Sequence, residues 1–386
     1  MQLGSLVPAS IWQASTSDRE AYFDSVVTNH TKMKNALSRI SEASSAFESQ
    51  RLILLLGPAG VGKTALLECL IAQIFSQRKE KMTNDRLCVP GLFVELEPPV
   101  KGKFSFVPFY REALVLMNAA AIDKTLPISL KKPGRYQILS STIDPKDFHV
   151  AGEHLKTRFR NNLIDRQVEV VALDEAIFAF EIASSRSHEE RLEHVITQAN
   201  HLRSFINKSP ATFILAGAYD FFELTISTSQ LARRSSIVHF ESYASDADDI
   251  AGFSGALVEL FKHLPLHQEL DPNEYATELF LQSLGCVGIL KDILKRALRL
   301  SFRRSKPIDH SLLRECFLSP PSLEAIRLEL LSGSARLSKF LSQPELAERM
   351  VTQHPSEPKT QQPNRKLKPG EMKPSFRRKA IDQWDS

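Results

Sequence analysis

Short apolar runs alternate with amphipathic segments through the first 245 residues of the chain. The segments between the runs, such as residues 189–206, repeat apolar positions at helical spacing. Strands that alternate with helices predict a parallel, doubly wound α/β sheet. The five predicted strands are LILLL at 52–56, GLFVELE at 91–97, VEVVAL at 168–173, TFILAG at 212–217 and IVHFESY at 237–243.

The pattern changes near residue 246, after which only helices are predicted. Amphipathic patterns at 248–263, 272–284, 287–303, 309–317 and 321–332 indicate a small all-α domain. From residue 351 the chain carries five prolines and few aliphatic side chains. Because such a segment buries too little apolar surface to fold, we expect a disordered tail.

The most informative motif follows the first predicted strand. Residues 57–64 read GPAGVGKT, and the helical pattern ALLECLIAQIF begins directly after them. A glycine-rich loop between a strand and a helix lets backbone N–H groups cradle the phosphates of a nucleotide. Lys63 would place a cation on the β- and γ-phosphates, and the Thr64 hydroxyl would ligate Mg²⁺. The predicted nucleotide-binding residues are Gly57, Pro58, Ala59, Gly60, Val61, Gly62, Lys63, Thr64 and Ala65.

Two adjacent acids, Asp174 and Glu175, close the third predicted strand. In a P-loop enzyme the first acid holds the Mg²⁺ shell together with Thr64, and the second polarises the attacking water. The alternative is a solvated strand end or a helix N-cap. Thr64 and Asp174 are 110 residues apart. This distance predicts an insertion, placed at about 99–160.

Composition narrows the class of protein. The formal net charge is +4, and residues 351–386 carry all of it, so the rest of the chain is formally neutral. Any contact with nucleic acid outside the tail must therefore come from a local basic patch. No apolar stretch approaches the roughly 20 residues of a membrane span, and the N-terminus does not resemble an export signal. Four scattered cysteines favour reduced thiols in a cytoplasmic protein.

The order of motifs resembles that of the AAA+ ATPases TniB and TnsC, which regulate DNA transposition. The resemblance covers about 30–305 and rests on GPAGVGKT, ALDEA, FILAGAYDFFEL, QLARRS, ALVELFKHLPL and GCVGILKDILKRAL. It implies a homo-oligomeric ring or filament that uses ATP and Mg²⁺, assembles on double-stranded DNA and recruits the transposase. Hydrolysis of ATP would disassemble it. A target selector, either a sequence-specific protein or an RNA-guided complex, is a further implied partner.

The resemblance also implies roles for individual residues. Lys63, Thr64, Asp174 and Glu175 take the nucleotide and magnesium positions. In QLARR at 230–234, Arg234 or its neighbour Arg233 would reach the γ-phosphate of a neighbouring subunit, although the pair is equally compatible with an ordinary surface position. Lys291 falls where a lid residue could sense nucleotide.

One position departs from the common AAA+ pattern. Many AAA+ proteins carry a polar sensor near the end of the fourth strand, where this chain has Ala216, Gly217 and Ala218. Tyr219 or Asp220 would have to substitute. We therefore expect slow ATP hydrolysis.

Two basic clusters are candidate DNA contacts. The resemblance points to Lys101 and Lys103 after the second strand, and Lys131, Lys132 and Arg135 form another cluster in the inserted region. Contacts to phosphates would be salt-sensitive and tolerant of sequence. An ordinary solvated loop remains the alternative for both.

The tail ends in FRRKAIDQWDS, which combines cations with large apolar side chains. It could be a DNA-binding arm or a peptide that folds onto a partner, with Trp384 as the anchor. We favour the partner interpretation, with the transposase as the partner. The residues involved would be Phe376, Arg377, Arg378, Ile381 and Trp384.

The predicted organisation has four parts. A leader covers 1–30, a P-loop AAA+ α/β domain with a five-stranded parallel sheet covers 31–245, a helical lid covers 246–345 and a flexible basic tail covers 346–386. A replication initiator or helicase loader is the main alternative function, but no winged-helix module follows the lid. A small-molecule kinase or a signalling NTPase switch is a third possibility.

Overall fold

The computed structural model describes residues 5–46, 51–99, 102–118, 128–132, 135–138, 147–181, 188–226 and 235–341. Its strands are β1 (Leu52–Leu56), β2 (Gly91–Glu95), β3 (Ile128–Lys132), β4 (Arg135–Ile138), β5 (Val170–Asp174), β6 (Thr212–Gly217) and β7 (Ser235–His239). Its helices are α1 (Ala9–Trp12), α2 (Thr16–Ser25), α3 (Thr31–Ala46), α4 (Lys63–Gln77), α5 (Lys79–Asn84), α6 (Val107–Leu116), α7 (Asp147–Asp165), α8 (His188–Ile206), α9 (Tyr219–Ile226), α10 (Ala247–Lys262), α11 (Pro272–Ser283), α12 (Val287–Arg304), α13 (His310–Glu315) and α14 (Pro320–Leu341).

Five strands form one parallel sheet in the order β2-β5-β6-β1-β7. All five residues of β1 are buried, because helices cover both faces of the sheet. Successive side chains of β1 alternate between two hydrophobic cores: Ile53 and Leu55 join one, and Leu52, Leu54 and Leu56 join the other. The predicted five-stranded parallel sheet is confirmed.

Each face of the sheet packs on a different set of helices. The first core combines α3 and α4 with helices from the last third of the chain, as Met33, Leu66 and Leu294 show. The second core contains side chains of α6, α7 and α8, including Tyr110, Phe159 and Leu202. The nucleotide-binding motif at the end of β1 therefore lies where the two cores meet.

The region predicted as an insertion contains a hairpin and a long helix. Strands β3 and β4 pair antiparallel and form a sheet of their own. Helix α7 packs on α6, where the fully buried Phe159 ring lies 5.2 Å from Phe109 between centroids. The insertion thus extends the second core.

After β7, the described chain is helical, as predicted. Three of its helices begin at an aspartate whose side chain accepts a backbone N–H of the first turn: Asp246 caps α10, Asp271 caps α11 and Asp309 caps α13. None of the described helices has the length and apolar character needed to cross a membrane.

The N-terminal segment, expected to be a leader, instead packs on these helices. Phe23 of α2 is completely buried in the first core. The Leu6 N–H donates to Lys262 O at 2.9 Å, and Arg299 of α12 pairs with Glu20 at 3.1 Å. The described residues up to Ser338, the N-terminal segment included, form one compact unit, and a second unit begins at Lys339. Of the second unit only 339–341, the end of α14, is described, so the predicted tail lies outside the described residues.

We predict that Phe23→Ala lowers the free energy of unfolding by about 3–4 kcal/mol, because it leaves a cavity in the first core. Chemical denaturation followed by circular dichroism measures the change. Leu87→Ala is the control, since Leu87 is 57% exposed and its truncation should change stability by less than about 0.5 kcal/mol. Equal stability of Phe23→Ala and the wild type would show that α2 is not part of the folded unit.

Candidate nucleotide-binding site

The phosphate-binding loop joins the carboxyl end of β1 to the start of α4. Gly62, which precedes α4, has a φ of 107°, and a Cβ built on it would meet nothing within 4 Å. This left-handed conformation favours glycine, and its open side leaves space for a phosphate group. The first backbone N–H groups of an α-helix have no partner within the helix and attract anions, which is why the motif predicts phosphate binding at the first turn of α4.

The Lys63 side chain is half-buried and folds back over the loop. Its Nζ donates to Gly57 O at 2.9 Å and to Pro58 O at 3.0 Å. Burial lowers the pKa of Lys63, while the charges of Asp174 and Glu175 oppose that shift. The ammonium group is therefore held at the loop, within reach of the acids that end β5.

Asp174 and Thr64 meet at the position predicted for a metal ion. The Thr64 Oγ1 donates to Asp174 Oδ2 at 2.6 Å, and Asp174 is only 2% exposed. Its other oxygen accepts the Glu175 N–H at 3.0 Å. A hydroxyl and a carboxylate fit Mg²⁺, which takes oxygen ligands and needs only one or two carboxylates besides water and phosphate.

Glu175 adopts a left-handed backbone conformation, with a φ of 49°. This turn leads directly into a 3₁₀ helix, Ala176–Phe180, and leaves the Glu175 side chain half-buried. Burial raises the pKa of Glu175, and the adjacent Asp174 raises it further, while Lys63 lowers it. A carboxylate with a raised pKa is a better proton acceptor, as a general base requires.

Strand β2 brings a further acid to the edge of the sheet where β5 ends in Asp174. Glu95 lies opposite Asp174 in the parallel register. On α6, burial raises the pKa of Glu112 to about 7, and the charges of Glu97 and Glu95 add to the shift. Only the pairing of β2 with β5 brings Glu95 beside Asp174, and the local sequence pattern carries no signal for that pairing.

The start of α12 contacts the phosphate-binding loop directly. The Ile289 N–H donates to Gly60 O at 3.1 Å. A Cβ on Gly288 would come within 2.4 Å of the same carbonyl oxygen, so only glycine permits this approach. The loop and the helical part of the chain are therefore in direct backbone contact.

Lys291, predicted to sense nucleotide, is engaged by the N-terminal segment in this structure. Its Nζ donates to Asp24 O and Val26 O, both at 2.7 Å, and so faces the N-terminal segment. Burial lowers the pKa of Lys291. The residues of α12 that contact the loop are Gly288 and Ile289, one turn earlier.

The position after β6 carries a buried tyrosine. Tyr219 is 5% exposed, and its hydroxyl lies 2.8 Å from His239 Nε2. His239 Nδ1 lies 3.2 Å from Glu241, whose pKa is lowered to about 2, mainly by this contact. Glu241 in turn is 3.4 Å from Lys32 of α3. Tyr219 is thus linked to a polar network, whereas Asp220 is exposed and accepts the Phe221 N–H of its own helix.

The described residues include only some of the positions predicted to contact DNA, a neighbouring subunit or a partner. Lys101, Arg233, Arg234 and the five tail residues lie outside the described residues. Lys131, Lys132 and Arg135 lie on the β3–β4 hairpin, for which only the backbone is described. Lys103 is exposed shortly before α6.

Comparison with known proteins identifies the class of this site. Residues 46–225 match the family model of an AAA domain, and this segment contains the loop, Lys63, Asp174 and Glu175. The chain carries an AAA-type P-loop ATPase domain. The predicted fold class and the ATPase assignment are confirmed, and a small-molecule kinase or signalling switch is not supported. Comparison with curated proteins gave no significant match.

Three solved structures are also similar to this chain. The ORC2 protein of Aeropyrum pernix is 15% identical, with a TM-score of 0.45 over 73% of this chain and 66% of that one. Domain III of DnaA from Thermotoga maritima is 12% identical, with a TM-score of 0.43 over 77% and 97%. The ORC1 protein of A. pernix, solved in complex with DNA, is 15% identical, with a TM-score of 0.43 over 73% and 64%. Similarity at this level does not decide among functions.

The raised pKa of Glu112 predicts a pH-dependent stability. Between about pH 4.5 and pH 7 the folded chain holds a proton that the unfolded chain releases, so this residue lowers stability as the pH rises through that window. Glu112→Gln should therefore raise the free energy of unfolding by about 1–2 kcal/mol at pH 8 and by much less at pH 4.5.

Chemical denaturation at the two pH values measures this difference. The exposed Glu269→Gln is the control and should show no pH-dependent gain. An equal gain for Glu112→Gln at both pH values would contradict the assignment of the shifted carboxyl.

Proposed function

We propose that this chain is an ATP-dependent regulator of DNA transposition that assembles as a homo-oligomer on double-stranded DNA. It links target-site selection to recruitment of the transposase, and ATP hydrolysis disassembles it. The sequence resemblance to TniB and TnsC over about 30–305 and the AAA domain at 46–225 support this proposal. Its main structural support is the contact of α12 with the phosphate-binding loop, which allows the bound nucleotide to act on a second part of the molecule.

This contact gives a physical route from nucleotide to assembly. The Gly60 carbonyl accepts the Ile289 N–H, so movement of the loop is transmitted to the start of α12. Helix α12 carries seven buried residues of the first core and therefore moves as part of a packed body. Binding of phosphates at the loop would change the orientation of that body and, with it, the surface offered to a neighbouring copy.

In the proposed reaction the residues of the loop bind and orient ATP. Lys63 exchanges its two loop carbonyl acceptors for phosphate oxygens. Thr64 and Asp174 would hold Mg²⁺, which would neutralise negative charge on those oxygens. Glu175 accepts the proton of the water whose oxygen bonds to the γ-phosphorus, and the bond from that phosphorus to the β–γ bridging oxygen breaks, so that ADP and inorganic phosphate leave. Arg234, or Arg233, of a neighbouring copy completes the site at the γ-phosphate.

Hydrolysis in this arrangement is proposed to be slow. Ala216, Gly217 and Ala218 provide no polar side chain at the end of β6, and the Tyr219 hydroxyl is already engaged by His239. A slow reaction gives the ATP-bound assembly a long lifetime, which suits a protein whose assembled state is its signal.

The first test compares variants of the nucleotide site. Lys63→Ala should abolish ATP-dependent assemblies on duplex DNA, because the loop loses the cation that binds the phosphates. Glu175→Gln should bind ATP and retain those assemblies for at least about tenfold longer, because the general base is lost. Electron microscopy with ATP, ADP or no nucleotide, together with phosphate release, measures both effects.

Lys79→Ala is the matched control, since Lys79 is an exposed cation of α5 away from the loop. Wild-type protein that binds ATP but forms no assembly on DNA would overturn the proposal. Binding of a replicative helicase in place of the transposase would instead favour the replication alternative.

The second test concerns DNA binding. Lys103→Ala should weaken binding to duplex DNA several-fold and lower the slope of log K against log salt by about 1, because one phosphate contact is lost. Fluorescence anisotropy at three or more salt concentrations measures the slope, with Lys79→Ala as the control. An unchanged slope would assign Lys103 to an ordinary solvated loop.

A further inference from the structure

Helix α14 reaches the phosphate-binding loop from the opposite end of the sequence. The Ala59 N–H, inside the GPAGVGKT motif, donates to Glu329 Oε1 at 3.3 Å. Glu329 as a residue is half-buried, the contact itself is open to solvent, and the two residues are 270 positions apart in the chain. A carboxylate oxygen thus accepts a hydrogen bond from a loop whose N–H groups are the expected partners of phosphate oxygens.

The charge of Glu329 also acts on the catalytic cation. It contributes to raising the pKa of Lys63, after Asp174 and Glu175 and against the larger effect of burial. The Glu329 carboxylate therefore lies in the positive field that the loop and Lys63 offer to a nucleotide. Asp174 and Glu175 belong to the metal and water positions, whereas Glu329 comes from a helix that the AAA domain does not include.

Packing fixes the position of α14 over the site. Gly333 and Leu337 follow Glu329 at intervals of four residues and so lie on the same face of the helix. A Cβ on Gly333 would come within 2.2 Å of the Tyr219 ring, and Leu337 is completely buried in the second core. On the adjoining face, Ile326 and Leu330 pack against the first core. The helix thus bridges the two cores across the end of β1 and covers Tyr219 as well as the loop.

We propose that α14 is an autoinhibitory strap whose Glu329 carboxylate competes with the phosphates of ATP for the phosphate-binding loop. Two groups of negative charge are not accommodated together beside a single lysine, so binding of Mg·ATP displaces Glu329 and loosens the strap. This inference rests on ATP binding by the loop and is independent of the proposed role in transposition.

The test measures nucleotide affinity in the full chain. Glu329→Gln keeps the size of the side chain but removes its charge, and we expect it to bind Mg·ATP about 3–10-fold more tightly than the wild type, because the competing state is less populated. Isothermal titration calorimetry with Mg·ATP measures the dissociation constant.

Glu324→Gln is the matched control on the same helix. Glu324 is exposed and pairs with Arg327, so its change should leave the dissociation constant within about twofold of the wild type.

A second variant tests the strap by shape and not by charge. Gly333→Ala favours the helix itself, but its methyl group collides with Tyr219. We expect it to bind Mg·ATP more tightly as well, and to show faster hydrogen exchange over residues 326–337 without nucleotide. In the wild type, addition of Mg·ATP should accelerate exchange over the same residues.

Unchanged or weaker ATP binding by Glu329→Gln would overturn the strap, and so would wild-type exchange over 326–337 that does not respond to Mg·ATP. Because neither measurement includes DNA, the strap proposal can be wrong while the proposed assembly on DNA is right. The opposite outcome is equally distinguishable.

Discussion

The structure depends on the close backbone contact between the phosphate-binding loop and the start of α12. The Gly60 carbonyl accepts the Ile289 N–H, and the absence of a side chain at Gly288 permits the approach. Strand β1 ends and helix α4 begins at the same loop, and both hydrophobic cores border it. A movement of this short loop therefore displaces both the sheet and the helical part of the chain, because close-packed cores transmit displacement.

The electrostatics of the site favour a bound cation and a bound polyanion together. Asp174, Glu175 and Glu95 end two neighbouring strands, while Lys63 supplies a cation at the loop. Burial and neighbouring carboxylates raise the pKa values of Glu175 and Glu112, so the charged forms of these two acids are disfavoured. A bound Mg²⁺ would compensate the negative charge of these acids. Bound phosphates would accept hydrogen bonds from Lys63 and from the N–H groups of the loop.

Two other connections tie the site to the remainder of the chain. Tyr219 joins His239, Glu241 and Lys32, so the end of β6 is linked to α3 by polar contacts. On the other side, α14 lies against Tyr219 through Gly333 and against the loop through Glu329. The same tyrosine thus contacts both the network and the proposed strap, which gives the position after β6 a structural role that a polar sensor alone would not have.

The sequence by itself determined the sheet and the chemistry of the nucleotide site. The fully apolar β1 and the GPAGVGKT motif depend on neighbours in the chain, so their structure follows from local pattern. Only the tertiary structure decided which distant residues complete the site. Glu95 reaches Asp174 through parallel pairing, Lys291 turns to Asp24 and Val26, and Glu329 reaches Ala59 through helix packing. Such contacts join residues far apart in the chain, and local periodicity carries no information about which of them will meet.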